Sequence, residues 1–158
     1  MADYSFVTRW QVEAPLERVV DVLKRVDEWP AWWRGVRAVE QIAEGDADGL
    51  GAIHRFTFRS RLPYSLVFSV RVTEVSAPYR LAGQATGELE GTGIWTLSDR
   101  DGLTHIRYDW NVRTTPWWMN LLAPVARPIF ARNHDVIMDW GRVGLAKRLG
   151  IPVLPETR

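Results

Sequence analysis

The sequence of 158 residues contains no cysteine and only three histidines. The lack of cysteine excludes disulfide frameworks, thiolate zinc sites and cysteine nucleophiles. The histidines are scattered and show no metal-ligand spacing, so we expect no metal site. Basic and acidic residues number 20 and 19, and the resulting net charge of +1 argues against a dedicated nucleic-acid binder.

Long apolar runs and nucleotide-binding loops are also missing. No apolar run reaches the roughly 18 residues of a membrane span, and no signal-peptide pattern opens the chain. No glycine-rich phosphate loop opens a helix after a strand, and there is no nucleophile elbow. We therefore expect a cytoplasmic protein that has no cofactor, binds no nucleic acid and has no integral membrane segment.

Aromatic residues are what the sequence has in excess: nine tryptophans, five phenylalanines and four tyrosines. The length predicts a single domain over residues 1–158, which can bury roughly 68–70% of its unfolded surface. Hydrophobic residues make up 46% and charged residues 25% of the chain, an ordinary globular composition that excludes disorder. The functional predictions start from these aromatic residues.

The spacing of apolar residues predicts one strand, two short helices, a run of strands and one long helix, in that order. The predicted strands are 4–12, 36–44, 52–60, 66–75, 79–86, 94–98 and 104–115. A glycine-rich bend is predicted over 87–93, and a strong hairpin signal over 99–102. The predicted helices begin at Pro15, span 28–33, include a lead-in over 117–123, and end with 133–149.

This order predicts an α+β fold. Successive hairpins indicate an antiparallel sheet with one packed face. A helix from Pro128 to Leu149 would be roughly 33 Å long, about the length of a ten-residue strand. The long C-terminal helix can therefore lie inside a curved antiparallel β-sheet that wraps around it, with the two short N-terminal helices beside it.

Strand alternation and helical periodicity predict which side chains point inward. The predicted inward-facing residues are His54, Phe56, Phe58, Phe68, Trp95, Tyr108, Trp110, Phe130, Asn133, Ile137 and Trp140. Such rings either fill the core or wall a cavity for a small molecule, and periodicity leaves both alternatives open. Gly141 and Gly144 share the inward face of the helix, where they allow a close approach or leave a void.

Polar residues among this set have two possible roles each. His54 is either a hydrogen-bonded core residue or a ligand contact that could act as a general acid or base. Asn133 can orient a ligand carbonyl or hydroxyl, or it can tether the helix to a loop or the sheet. Tyr108 is placed to donate a hydrogen bond into a pocket, Tyr64 to form part of its rim, and His134 lies at the edge of the inward stripe.

Trp117 and Trp118 precede the long helix, together with Leu121 and Leu122. They either pack into the core at the start of the helix or form an apolar lip. As a lip they would make transient contact with a membrane or with an entering ligand.

Several stretches along the chain resemble a known family. They are Ala14-Pro15-Leu16-Glu17-Arg18-Val19, Trp29-Pro30-Ala31-Trp32-Trp33, Arg59-Ser60-Arg61-Leu62-Pro63-Tyr64, residues 87–93 with Trp95, Tyr108-Asp109-Trp110, and residues 121–128 leading into Asn133-His134-Asp135. This pattern resembles the SRPBCC superfamily of START-like, Bet v 1-like proteins, specifically its polyketide cyclase/dehydrase and lipid-transport branch. The resemblance implies a helix-grip fold with a deep apolar cavity between the sheet and the C-terminal helix.

The resemblance leaves three functions to be distinguished. The favoured one is the binding or carriage of a small hydrophobic or amphipathic ligand, a lipid, aromatic or polyketide, by the inward-facing residues. A second is a polyketide cyclase or dehydratase in which His54 or Tyr108 moves protons in the same cavity. A third is a non-catalytic interaction module, which predicts a filled core and an exposed apolar patch. Fold alone does not decide among them, and it leaves the ligand and the oligomeric state open.

Overall fold

A computed structural model describes residues 3–156, which form eight strands and four α-helices. The strands are β1 (Asp3–Val12), β2 (Val36–Ala43), β3 (Ile53–Phe58), β4 (Leu66–Ser76), β5 (Arg80–Gly87), β6 (Leu89–Arg100), β7 (Leu103–Thr114) and β8 (Val153–Pro155). The helices are α1 (Leu16–Lys24), α2 (Trp29–Trp32), α3 (Trp117–Leu121) and α4 (Ala123–Leu149). A single 3-10 turn, Val26–Glu28, precedes α2.

All eight strands belong to one antiparallel sheet in the order β2-β3-β4-β5-β6-β7-β1-β8. Hairpins join β2 to β7 in sequence, and all of β1 pairs with residues 104–113 of β7. The sheet curves around α4, with α1 and α2 beside it. The predicted α+β helix-grip fold is confirmed.

The glycine-rich bend predicted over 87–93 is shorter in the structure, where β5 ends at Gly87, the chain bends at Glu88 and β6 already begins at Leu89. Its glycines make room for β7. A Cβ atom on Gly91 would overlap the Asn111 carbonyl of β7, and one on Gly93 would lie 2.7 Å from the Tyr108 hydroxyl and 2.9 Å from the Trp110 ring. Gly91 and Gly93 are therefore explained by the close approach of β7 and its aromatic rings, although the local sequence alone associates such glycines with a turn.

The end of the sheet also differs from the prediction. The C-terminal segment Val153–Pro155 returns to the sheet as β8 and pairs with Trp10–Val12 of β1. The two prolines at 152 and 155 and the three-residue length gave no strand signal. The predicted hairpin is present, and its turn residues Asp101 and Gly102 have positive φ values of 56° and 76°, as a two-residue turn between twisted strands requires.

Helix α4 begins at Ala123, ten residues before the predicted start of the last helix. Pro124 lies in the first turn, where no backbone N–H is needed. Pro128 removes only one hydrogen bond, to the Pro124 carbonyl, and Pro124 is exposed, so that water can bond this carbonyl. The helix ends at Gly150, whose φ of +72° and N–H bond to the Ala146 carbonyl (2.8 Å) close the last turn.

The C-terminal half of α4 is seated on α2 through its two glycines. A Cβ on Gly141 would lie 2.6 Å from Cε2 of Trp33, and a Cβ on Gly144 would overlap the backbone carbonyl oxygen of Trp32. The indole N–H of Trp33 donates a 2.8 Å hydrogen bond to the Ile137 carbonyl of α4. Of the two alternatives for these glycines, the structure therefore has close approach.

Candidate ligand-binding cavity

A cavity of about 270 Å³ lies between the concave face of the sheet and α4. Ten of the eleven residues predicted to face inward line it: His54, Phe56, Phe58, Phe68, Trp95, Tyr108, Trp110, Phe130, Asn133 and Ile137. The volume is close to the lower end of the roughly 300–1,000 Å³ range of small-molecule sites. The residues that periodicity predicts to face inward therefore line an open space and also contact one another.

The aromatic wall of the cavity crosses the sheet as a continuous series of rings. The Phe58 and Phe68 rings stack with centroids 5.4 Å apart, and Phe68 meets Trp110 at 5.6 Å. Trp110 is followed by Tyr108, which stacks on Trp95 with centroids 4.1 Å apart. Because β5 and β6 lie between β4 and β7, rings from the outer pair can meet only over small residues. Gly83, Ala85 and Gly93 are those residues.

Several residues that line the cavity were missed as site residues. Trp29 and Trp33 reach it from α2 and its end, and Tyr4 and Phe6 reach it from β1. The alternation of β1 places Tyr4 and Phe6 on one face, which is the signal that could have found them. The two tryptophans depend on how the short α2 is docked, for which the sequence carries no comparable signal.

Trp140 is the one predicted site residue that does not line the cavity. Its ring packs beside Gly35, and the Arg34 guanidinium lies over it at 4.3 Å from the ring centroid. The inward arc of α4 at this level is occupied by Gly141, against which Trp33 packs. Trp140 is therefore turned toward the segment between α2 and β2, and its prediction as a cavity residue is corrected.

Asn133 joins α4 to the loop after β3. The Ser60 hydroxyl donates a hydrogen bond to its side-chain oxygen, and the same hydroxyl accepts the Leu62 N–H at 3.3 Å. The residue therefore acts as a tether while it also lines the cavity. A role for Asn133 in orienting a ligand remains a prediction.

Three titratable residues in the interior of the cavity wall, His54, Tyr108 and His134, are held in their neutral forms by burial. Desolvation lowers the pKa of His54, against a weaker opposing effect of the Asp27 charge. Desolvation raises the pKa of Tyr108 well above its usual value of 10. His134, predicted at the edge of the inward stripe, lies in the wall, where burial lowers its pKa to about 4. At neutral pH these groups offer hydrogen bonds and no charge.

From the contacts between α3, the loop before β4 and the cavity-wall residue Thr114, we infer that these elements and the start of α4 close one end of the cavity. The Tyr64 ring of this loop meets Trp118 edge-on with centroids 5.7 Å apart, and burial raises the Tyr64 pKa to about 12. The Thr114 hydroxyl, in the cavity wall, bonds Asn120 of α3 at 2.8 Å. At the other end the wall includes Lys24 and Asp48, its two exposed members among residues 3–156. We infer that the cavity communicates with solvent there.

The described residues place two limits on the chemistry. Within 3–156, no group of three or more His, Asp or Glu side chains could hold a metal ion. None of the helices in the same range combines the length and the apolar character that a membrane crossing requires. What the cavity supplies is an apolar interior with a few neutral polar groups, while Lys24 and Asp48 lie where it opens to solvent.

A curved antiparallel sheet gripping a long C-terminal helix, with an aromatic cavity between them, defines a START-like helix-grip protein. The chain belongs to the polyketide cyclase / dehydrase and lipid transport family, whose model matches residues 4–141. The resemblance drawn from the sequence motifs is therefore confirmed. A search of curated proteins found no match.

Solved structures share this fold at low sequence identity. TTHA0849 from Thermus thermophilus is 16% identical, with a TM-score of 0.73 over 92% of this chain and 96% of that chain. The di-domain ARO/CYC StfQ from the steffimycin biosynthetic pathway is 11% identical, with a TM-score of 0.68 over 94% of this chain, which spans 52% of StfQ. A START superfamily protein from Mycobacterium smegmatis is 15% identical, with a TM-score of 0.60 over 89% and 96% of the two chains.

Proposed function

We propose that this protein binds and carries a small hydrophobic or amphipathic molecule in the cavity between the sheet and α4. The observation that carries the proposal is the aromatic-lined space of about 270 Å³ between the sheet and α4. An apolar cavity of about 150 Å³ in another protein stays dry and binds benzene. The larger space here admits a molecule of about two fused rings, or an aliphatic chain of similar volume.

Ligand binding would derive its free energy mainly from apolar burial. Each Å² of apolar ligand surface removed from water contributes about 25 cal/mol. Rings such as Phe58, Phe68 and Trp110 are already ordered by contacts with one another, so binding costs little further side-chain entropy. The wall is therefore suited to a flat or flexible apolar body.

Filling the cavity with a side chain is expected to abolish binding. Val72 lines the cavity and is half-buried, so Val72→Trp projects an indole into the open space. We expect at least a tenfold loss of affinity for the neutral dye N-phenyl-1-naphthylamine, measured by fluorescence titration and by native mass spectrometry. A circular-dichroism melt verifies that the variant is folded.

The matched control for this variant is Val7→Trp. Val7 is on β1 and 41% exposed, so the same indole is added to a strand without entering the cavity. This control should bind the dye as the parent protein does. The proposal is contradicted if the parent protein binds no molecule from a broad apolar panel, or if Val72→Trp binds the dye with parental affinity.

A cyclase or dehydratase activity on a poly-β-keto substrate is the second candidate function. It is favoured by the position of His54, Tyr108 and His134 in the cavity wall, because a proton-transfer group must reach the bound substrate. Product analysis after incubation with a poly-β-keto thioester tests it, with His54→Gln and Tyr108→Phe as variants. The third alternative, an interaction module, predicted a filled core and an exposed apolar patch; the cavity argues against the filled core, while apolar side chains of α3 and the start of α4 are exposed.

We further propose that the closed end of the cavity touches a lipid surface. The outer face of α3 and the start of α4 expose six apolar residues, here called the apolar cap: Trp117, Trp118, Leu121, Leu122, Val125 and Ile129. Residues 115–134 include two arginines and no acidic residue. An exposed Trp- and Leu-rich face with basic neighbours fits the interface of a bilayer that contains anionic lipid.

Removing two side chains of the apolar cap is expected to weaken membrane binding. Trp117 and Leu121 are 74% and 70% exposed, so Trp117→Ser with Leu121→Ser leaves the core intact. We expect at least a fivefold loss of co-sedimentation with vesicles of phosphatidylcholine and phosphatidylglycerol. Tyr79→Ser, at a 60% exposed site outside the apolar cap, is the control and should bind as the parent does. Equal binding by the double variant would contradict this proposal.

A further inference from the structure

Two side chains in the cavity wall carry buried polar atoms that lack hydrogen-bond partners among residues 3–156. They are the Tyr4 hydroxyl and both ring nitrogens of His134. In folded proteins roughly nine in ten buried polar groups are paired. The Trp32 indole N–H is a fourth such atom, but Trp32 does not line the cavity.

Ring packing holds the two side chains in one corner of the cavity. Tyr4 and Phe6 point inward from β1, and they face Phe130 and His134, which are one turn apart on α4. The His134 ring stacks on Phe6 with centroids 4.1 Å apart and planes 12° apart, while Tyr4 meets Phe130 at 5.5 Å. Because the His134 ring is buried and stacked on Phe6, its nitrogens cannot turn out to bulk water without breaking this contact.

The charged side chains near this corner do not supply hydrogen-bond partners for the Tyr4 hydroxyl or the His134 ring nitrogens. The exposed Asp135 carboxylate lies 3.8 Å from His134 Nδ1, beyond hydrogen-bond distance. The Arg127 guanidinium lies over the Tyr4 ring at 5.0 Å from its centroid and donates to the Asp3 carbonyl. Desolvation lowers the pKa of His134 to about 4 and raises the pKa of Tyr4. At neutral pH a neutral imidazole offers one donor and one acceptor, and the phenol offers one of each.

We propose that Tyr4 and His134 form a polar pole of the cavity, and that the ligand carries an uncharged hydroxyl or carbonyl group that hydrogen-bonds to them. Its apolar body then lies along the rings of Phe58, Phe68 and Trp110. This inference rests on the proposed ligand-binding function and narrows the ligand from any apolar molecule to a neutral amphipathic one. A carboxylate is disfavoured, because the corner provides no buried cation to offset its desolvation.

Three probes of matched size test this inference: naphthalene, 2-naphthol and 2-naphthoate. Their affinities for the parent protein are measured by calorimetry or NMR titration at pH 7. We expect 2-naphthol to bind at least tenfold more tightly than naphthalene, and 2-naphthoate to bind more weakly than 2-naphthol. Equal affinities for naphthol and naphthalene would overturn the polar pole.

Two conservative variants test whether Tyr4 and His134 cause the preference for 2-naphthol over naphthalene. Tyr4→Phe removes only a hydroxyl, and His134→Phe keeps a flat ring to stack on Phe6. In each variant we expect naphthalene affinity to stay within about twofold of the parent, while the preference for naphthol falls at least threefold. A preference that survives both substitutions contradicts the assignment.

The melting temperature of the ligand-free protein supplies an independent readout. Replacing an unpaired buried polar atom with an apolar group removes a desolvation penalty, so both variants should melt at or above the parental temperature. A clear decrease in the melting temperature of both variants would show that these atoms already have partners, and would also contradict the inference.

Naphthalene binding distinguishes a failure of the polar pole from a failure of the proposed carrier function. If naphthalene binds and Val72→Trp abolishes its binding, only the polar pole has failed.

Discussion

Replacing Gly144 with alanine is expected to destabilise the protein by about 3 kcal/mol or more, at the upper end of what overpacking usually costs. Alanine is the better helix former by roughly 1 kcal/mol, so propensity alone predicts the opposite sign. The overlap decides the outcome, because the added Cβ would coincide with the Trp32 carbonyl oxygen, a backbone atom. A backbone atom cannot move aside as a flexible side chain would.

The surroundings of Gly144 leave little room for adjustment. The Trp33 N–H bonds the Trp29 carbonyl at 2.7 Å, and its indole N–H bonds Ile137 of α4 at 2.8 Å. Moving α4 away from Trp32 would therefore break the contacts that seat Trp33. Urea denaturation measures the effect. Val143→Ala, at a 40% exposed site one residue away, is the control and should stay within roughly 0.5 kcal/mol of the parent. Unchanged stability of Gly144→Ala would contradict this account of helix seating.

Acidification from pH 7 to pH 4 is expected to cost stability through His134. Its pKa is lowered from 6.5 to about 4 in the folded protein by burial. Well above pH 6.5 the imidazole is neutral in both states and contributes no pH dependence. Below that value the unfolded chain takes up the proton while the folded protein does not, so the free energy of unfolding falls as the pH falls. The loss reaches about 3 kcal/mol near pH 4.

Urea denaturation from pH 4 to pH 7.5 measures this loss in the parent protein and in His134→Phe. We expect the variant to have a flatter pH dependence over this window, with the two curves running parallel above pH 7. His54, whose pKa burial also lowers, remains in both proteins and cancels in the comparison. His105→Gln is the control, since His105 instead bonds the Glu156 carboxylate at 3.1 Å. Parallel curves for parent and His134→Phe over the whole window would refute the prediction.

The parts of the site that could be predicted from sequence are those on regular strands. A strand has only two faces, so one buried residue assigns every second neighbour, as Phe56, Phe68 and Tyr108 illustrate. The order from β2 to β7 followed from consecutive hairpins, whereas the positions of β1 and β8 in the sheet did not. The ligand-binding roles of these residues remain predictions, because the alternation of side chains along a strand shows which way each one points and not what it binds.

The parts that could not be predicted depend on contacts between distant segments. Periodicity around α4 spans a continuous range of angles, so it could not separate Trp140, turned to Gly35, from Ile137, in the wall. His134 is covered by β1, a strand more than 120 residues earlier in the chain. Gly93 was assigned to a bend because the need for space beside Trp110 arises only when β6 and β7 pair.

The tryptophans of the cavity wall give the protein a built-in optical reporter. Trp29, Trp33, Trp95 and Trp110 line the cavity, while Trp117 and Trp118 are exposed on the apolar cap. A conjugated guest would accept excitation energy from the first group over a few ångströms, and a lipid surface would shift the emission of the second to shorter wavelength. Ligand occupancy can thus be followed in the unlabelled protein by quenching of tryptophan fluorescence, and attachment to a lipid surface by the wavelength of the emission.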